Sequence, residues 1–224
     1  MHRVALVAAQ ALLLAGDEVE VEVTVDGPHV LHVVEVGGTV AYDMRGGQAR
    51  WAVSATLRGG ARVAWHGEPF VVAAGADVHR TTTADLDGGS RLALRETLVL
   101  GRTGERGSVL RTRARLDLGG VPAVAEDLDL TPEAGAGPAV LGPHRCIDSV
   151  TILGHRLPDS PGTTPDTALL QAEAEASVAR WLGADLHRSP LGQTWRHAVS
   201  AYVPPAALVP SPPIRQREVG ACPR

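Results

Sequence analysis

Glycine pairs recur through the first half of the chain, at 37–38, 46–47, 59–60, 88–89 and 119–120. Between them lie short apolar runs that alternate with polar residues. A glycine pair interrupts regular structure and supplies the positive φ of a tight turn. Runs of five to ten residues between such turns are too short for most helices and fit strands. The stretch "DEVEVEVTVD" (17–26) alternates strictly, with Val19, Val21, Val23 and Val25 on one face and Glu18, Glu20 and Glu22 on the other. That is a half-buried strand with an acidic outer face.

"HVLHVVEV", "TVAYDM" and "ARWAVSATL" follow the same plan, each bounded by glycine. "GGARVAW" from Gly59 and "GGSRLAL" from Gly88 are two versions of one turn-and-strand unit. Many short strands with repeated turn signals predict an all-β sandwich, barrel or layered helical fold. The unequal spacing argues against a strict solenoid repeat. Aromatic residues make up 3% of the chain, so the core must come from Val, Leu and Ala.

The strand pattern fades near residue 155, and "LPDSPGTTPD" reads as a loop. A helix is predicted over about 164–183, with Thr164 as N-cap, Pro165 in its first turn and Gly183 as its stop. Leu170, Ala174, Val178, Trp181 and Leu182 would form its apolar face. One domain over 1–203 and a proline-rich flexible tail over 204–224 complete the plan.

Composition removes several chemistries. All 21 basic residues are arginine, so there is no Schiff-base lysine and no phosphate-loop lysine. The net charge of −4 gives no footprint for nucleic acid. Two distant cysteines, Cys146 and Cys222, do not make a disulfide framework and point to a reducing, cytoplasmic setting. No run reaches the ~20 apolar residues of a membrane-spanning helix. The N-terminal "MHRVALVAAQALLLAG" imitates a signal sequence through Ala9-Gln10-Ala11, but reads first as a buried strand. A secreted β-rich module that binds carbohydrate or another ligand is the alternative that would use that segment as a signal. An unrecognised hydrolase is a second.

Gly101, Gly104 and Gly107 are spaced G-x-x-G-x-x-G, which matches neither nucleotide fingerprint. Ser90 and Ser108 lack the surroundings of a nucleophile elbow. His29 and His32 lie three apart in strand-like sequence and face opposite ways. His144 and Cys146 form the best local N/S pair, which is two ligands short of a closed site. Residues 91–115 carry seven arginines against Glu96 and Glu105. Arg111, Arg113 and Arg115 share one strand face, either solvated or part of a charged interface. Asp17 and Glu105 each follow a glycine at the start of a strand-like run. Such acids usually cap turns. Inside a β body a carboxylate needs an arginine, water or a cation, and Arg102 is the partner for Glu105.

"LLLAGDEVEVEVTV" (12–25), "VAWHGEPFVVAAGADVHRTTTADL" (63–86) and "LVLGRTGERG" (98–107) stand in an order that resembles the UreD (UreH) family of urease accessory proteins. The matching features are Gly16-Asp17, Gly75-Ala76, and Gly101-Arg102 with Gly104-Glu105. The resemblance covers roughly residues 10 to 130. It implies a mainly β, layered helix-like fold with a small C-terminal helical part, and a non-enzymatic role in nickel delivery. It implies partners: apo-urease, UreF and, through UreF, the GTPase UreG. It also implies a polar interior route for nickel in transit, with no tightly bound cofactor. On that resemblance Asp17 and Glu105 are the acids placed on the route, and Gly16, Gly101, Arg102 and Gly104 form its turn motifs.

Overall fold

The computed structural model describes residues 1–10, 13–137, 140–158 and 166–200. It contains fourteen strands and two α-helices among those residues. The strands up to the last coil are β1 (His2–Leu6), β2 (Glu18–Asp26), β3 (Val30–Glu35), β4 (Thr39–Ala41), β5 (Ala49–Arg58), β6 (Arg62–His66), β7 (Phe70–Val72), β8 (Asp77–Leu86), β9 (Arg91–Leu100) and β10 (Val109–Leu118). After them come β11 (Val121–Asp129), α1 (Pro132–Gly135), β12 (Cys146–Leu153), β13 (Thr167–Gln171), β14 (Ala176–Gly183) and α2 (Leu191–Val199).

The chain winds as a β coil between two sheets. A five-stranded sheet runs β11-β10-β8-β5-β2, and a nine-stranded sheet runs β1-β3-β6-β9-β12-β14-β13, with β4 and β7 alongside. Successive coils stack in parallel: Glu18 lies on Arg50, Ala49 on Val78, and Asp77 on Val109. On the other sheet β6 stacks on β9, with Arg62 on Arg91, Val63 on Leu92, Ala64 on Ala93 and Trp65 on Leu94. The two similar stretches of sequence are therefore the same position on adjacent coils. Strand spacing along the chain is uneven, yet the layers stay in register because the corners absorb the difference. The coil stops at β10, where Gly119 and Gly120 turn the chain back into antiparallel β11. β12 then enters antiparallel to β9.

The space between the sheets is filled mainly by Val, Leu and Ala with Trp51, Trp65 and Phe70. Trp51 and Phe70 meet edge to face at 5.5 Å. A second apolar cluster lies where α2 covers the nine-stranded sheet, with Leu191, Trp195 and Val199 over Ala64, Ala93, Val150 and Ile152.

Two expectations need correction. Residues 167–183 form the hairpin β13–β14, not a helix, and the C-terminal helix is α2, further on. The apolar spacing over this stretch fits both periods. Long-range pairing decides between them: β12 is buried along its whole length and needs a ladder on each side. β14 supplies the second ladder, residue for residue, from Cys146–Gly183 to Leu153–Ala176. Thr164, Pro165, the tail from 204 and Cys222 lie outside the described residues. The N-terminal strand is also not buried. β1 forms in register with β3, but as an exposed edge of the sheet.

Candidate functional site

One corner of the coil collects both predicted acids. Its layers are residues 13–17, 42–48, 73–77 and 101–109, tied by Tyr42 N–H to Leu13 C=O, Met44 N–H to Gly75 C=O, and Gly75 N–H to Gly107 C=O. Asp17 stands in the first layer and Glu105 in the fourth. With strands about 4.8 Å apart, three steps separate them by about 14 Å. They share an edge of the molecule and do not form one site.

Asp17 closes a turn. Its carboxylate accepts from Leu14 N–H at 2.8 Å, its own N–H donates to Leu14 C=O at 3.0 Å, and Arg50 N–H binds its carbonyl at 2.9 Å. Gly16 has φ +87°, which a side chain would strain.

Glu105 is held more firmly. Arg102 Nε donates to Oε1 at 2.7 Å, and Oε2 accepts from Arg102 N–H at 3.0 Å and Ala74 N–H at 3.1 Å. These bonds, that from the Arg102 side chain first, lower its pKa from 4.5 to about 2. Gly101 and Gly104 both have positive φ. A Cβ on Gly101 would stand 2.7 Å from the carbonyl oxygen of Glu105, so the turn closes only on glycine. The predicted Arg102–Glu105 pair is thus formed. It borders an open cleft of about 690 Å³, also lined by Arg106, Ser108, Thr131, His144 and Arg145.

His144 and Cys146 part company. His144 lines this cleft, while Cys146 is fully buried with its thiol on Ala184 C=O at 3.5 Å. His32 is buried, whereas His29 is exposed. Among the described residues no group of three or more His, Cys, Asp or Glu is placed to hold a metal ion. The arginine row on β10 is paired along the strand: Arg111 with Asp77 at 3.1 Å, Arg113 with Asp127 at 2.6 Å, and Arg115 with Asp117 at 3.3 Å.

Sequence reasoning missed a polar belt between the sheets. Arg80 pairs with Glu96 at 2.8 Å, and Thr82 donates to Glu96 at 3.0 Å. Arg180 grips Glu126 with two bonds, at 2.5 and 2.8 Å, and reaches Ser149 at 3.1 Å. With Thr112 and Thr151 these groups line a cavity of about 50 Å³, room for water at polar walls. Glu96, Ser149 and Arg180 are register partners across three strands. The signal is visible in retrospect. Glu96 follows Leu92 and Leu94 on the inward face of β9, and Arg80 follows Val78 on that of β8. A charge at an inward position of an apolar alternation is expensive unless paired.

A second buried network fixes α2. Asp148 is fully buried and accepts from Arg95 Nε (3.1 Å) and Nη2 (2.8 Å), Thr97 Oγ1 (3.2 Å) and Ser189 Oγ (2.5 Å). Arg95 also meets His66, whose ring stacks on Trp195 of α2 at 5.4 Å. Burial, then the Arg95 charge, pushes the pKa of His66 down to about 4.

Comparison with known proteins bears on this geometry. The profile of the UreD urease accessory protein family matches residues 1–209. The chain belongs to the UreD family. UreD 1 of Streptomyces griseus is 46% identical over 186 residues, covering 79% of this chain and 73% of the relative. UreD of Streptomyces avermitilis is 33% identical over 211 residues, covering 92% and 77%. UreD of Frankia alni is 34% identical over 188 residues, covering 75% and 62%. Membership makes this a urease accessory protein and favours that reading over a carbohydrate-binding module or a hydrolase. Among the described residues no helix is long and apolar enough to cross a membrane.

Proposed function

We propose that this UreD-family chain acts in the cytoplasm as a non-catalytic scaffold through which nickel is handed to apo-urease. It works with UreF and, through UreF, the GTPase UreG. The observation that carries the reading is the polar belt of Arg80, Glu96, Ser149, Glu126 and Arg180 inside an otherwise apolar β coil. Hydroxyls and carboxylates already paired with arginine bind a divalent cation weakly and exchange it readily, unlike a thiolate or multi-histidine cage. A carrier that releases its cargo needs that weakness. Glu105 and His144 line one cleft at a corner of the coil, where a cation in transit would meet the Glu105 carboxylate and the His144 ring. Asp17 offers a second carboxylate at that corner, three layers away. GTP hydrolysis falls to a partner, since the glycine spacing of 101–107 cannot cradle a γ-phosphate.

The test replaces Glu105 with leucine in cells that also produce UreF, UreG and apo-urease. The variant should still co-purify with its partners, while the nickel content of urease falls several-fold. Unchanged nickel content with an intact complex would remove Glu105 from the route. Loss of the complex together with a lowered melting temperature would make Glu105 purely a turn residue.

A further inference from the structure

The first coil is open at one end. On β5 every inward side chain, Ala49, Trp51, Val53, Ala55 and Leu57, is buried. Their register partners on β2 are Val19 on Trp51, Val21 on Val53, Val23 on Ala55 and Val25 on Leu57. Of these valines only Val25 is fully buried, and the other three are half-buried against the core. Across the coil, Val4 of β1 is 44% exposed although it is in register with buried Val33. Val7 and Leu14, in the link between β1 and β2, are exposed as well. Among the described residues β2 has a strand partner on one side only. The outer edge of this nine-residue strand, where the N–H and C=O groups of alternate residues point away from β5, therefore runs beside a partly covered row of valines and is a template for one more strand.

The outer face of β2 says which strand fits. Glu18, Glu20 and Glu22 are exposed there. Glu18 has Arg50 at 3.8 Å, with both side chains more than 70% exposed. Glu20 and Glu22 lie in register with Ala52 and Ser54, which carry no charge. Cross-strand neighbours on one face interact directly, and like charges there are destabilising. A second copy paired through β2 would set glutamates against glutamates. The other edge of the same sheet, β11, offers no arginine of its own to these glutamates; its exposed charges are Asp129 and Asp127, the latter paired with Arg113 of β10. We infer that β2 is a docking edge for an extended segment of a different polypeptide, with apolar residues inward and arginine or lysine outward.

The probe is a fluorescein-labelled nine-residue peptide of alternating valine and arginine, with a valine–glutamate peptide as control. Anisotropy reads binding, and hydrogen exchange reads protection of the β2 amides in the whole chain. The account predicts salt-sensitive binding of the valine–arginine peptide, at least tenfold slower exchange within 19–25, and no response to the control. Glu20→Arg with Glu22→Arg, both on the solvent face, should reverse the preference. Binding that ignores this reversal, or protection away from β2, would overturn the inference. So would slow exchange, in the free chain, of the β2 amides that point away from β5, which means the chain covers its own edge. Protection that grows with protein concentration alone would assign the edge to a second copy, and overturn it too.

Discussion

Both oxygens of Glu105 are engaged by groups of its own corner, the Arg102 side chain and N–H and the Ala74 N–H. The sequence made the Arg102 pairing readable, because an arginine three residues before a glutamate, in a turn marked by Gly101 and Gly104, lies within reach of it. It did not make Ala74 readable, since that bond joins adjacent coils. The depressed pKa has a definite sign for stability. A carboxyl whose folded pKa lies below its unfolded one stabilises the fold above the unfolded value, and the contribution is lost as pH falls through the folded one. The Glu105 carboxyl should therefore titrate near pH 2 by NMR, and the order of its corner should decline as pH falls from 4.5 toward 2. A titration midpoint at the ordinary value of 4.5 would mean that the corner is not closed in solution.

Strands set off by glycine were legible because alternation and turn chemistry are local. The hairpin β13–β14 was not, because its alanine- and glutamate-rich centre has helical propensity and only the demand of β12 for a second ladder overrides it. The same limit hid Asp148, which lies on β12 and gathers Arg95 and Thr97 from β9 and Ser189 from the approach to α2. This cluster fixes how α2 sits on the sheet. Asp148→Ala removes the carboxylate and leaves the part-buried Arg95 guanidinium without its counter-charge. Breaking a buried pair in this way costs about 3–5 kcal/mol. Urea denaturation should show that loss, and a change below about 1 kcal/mol would mean that α2 is held by its apolar contacts alone.

At the scale of the molecule, a β coil closed by hairpins on one side keeps a polar belt inside an aliphatic core. The fold class was legible from turn spacing and patterning. The belt was not, because its members come from β8, β9, β11, β12 and β14 and meet only when two sheets close on each other. A belt of paired charges stabilises a small domain poorly compared with apolar packing of the same volume. On the function proposed above, the belt is where a cation in transit would meet carboxylates and hydroxyls. The direct measurement is the nickel content and activity of urease made with UreF and UreG, with and without this chain. The account predicts apo-urease that stays nearly empty of nickel in its absence and fills when it is restored. Full nickel loading without the chain would contradict it.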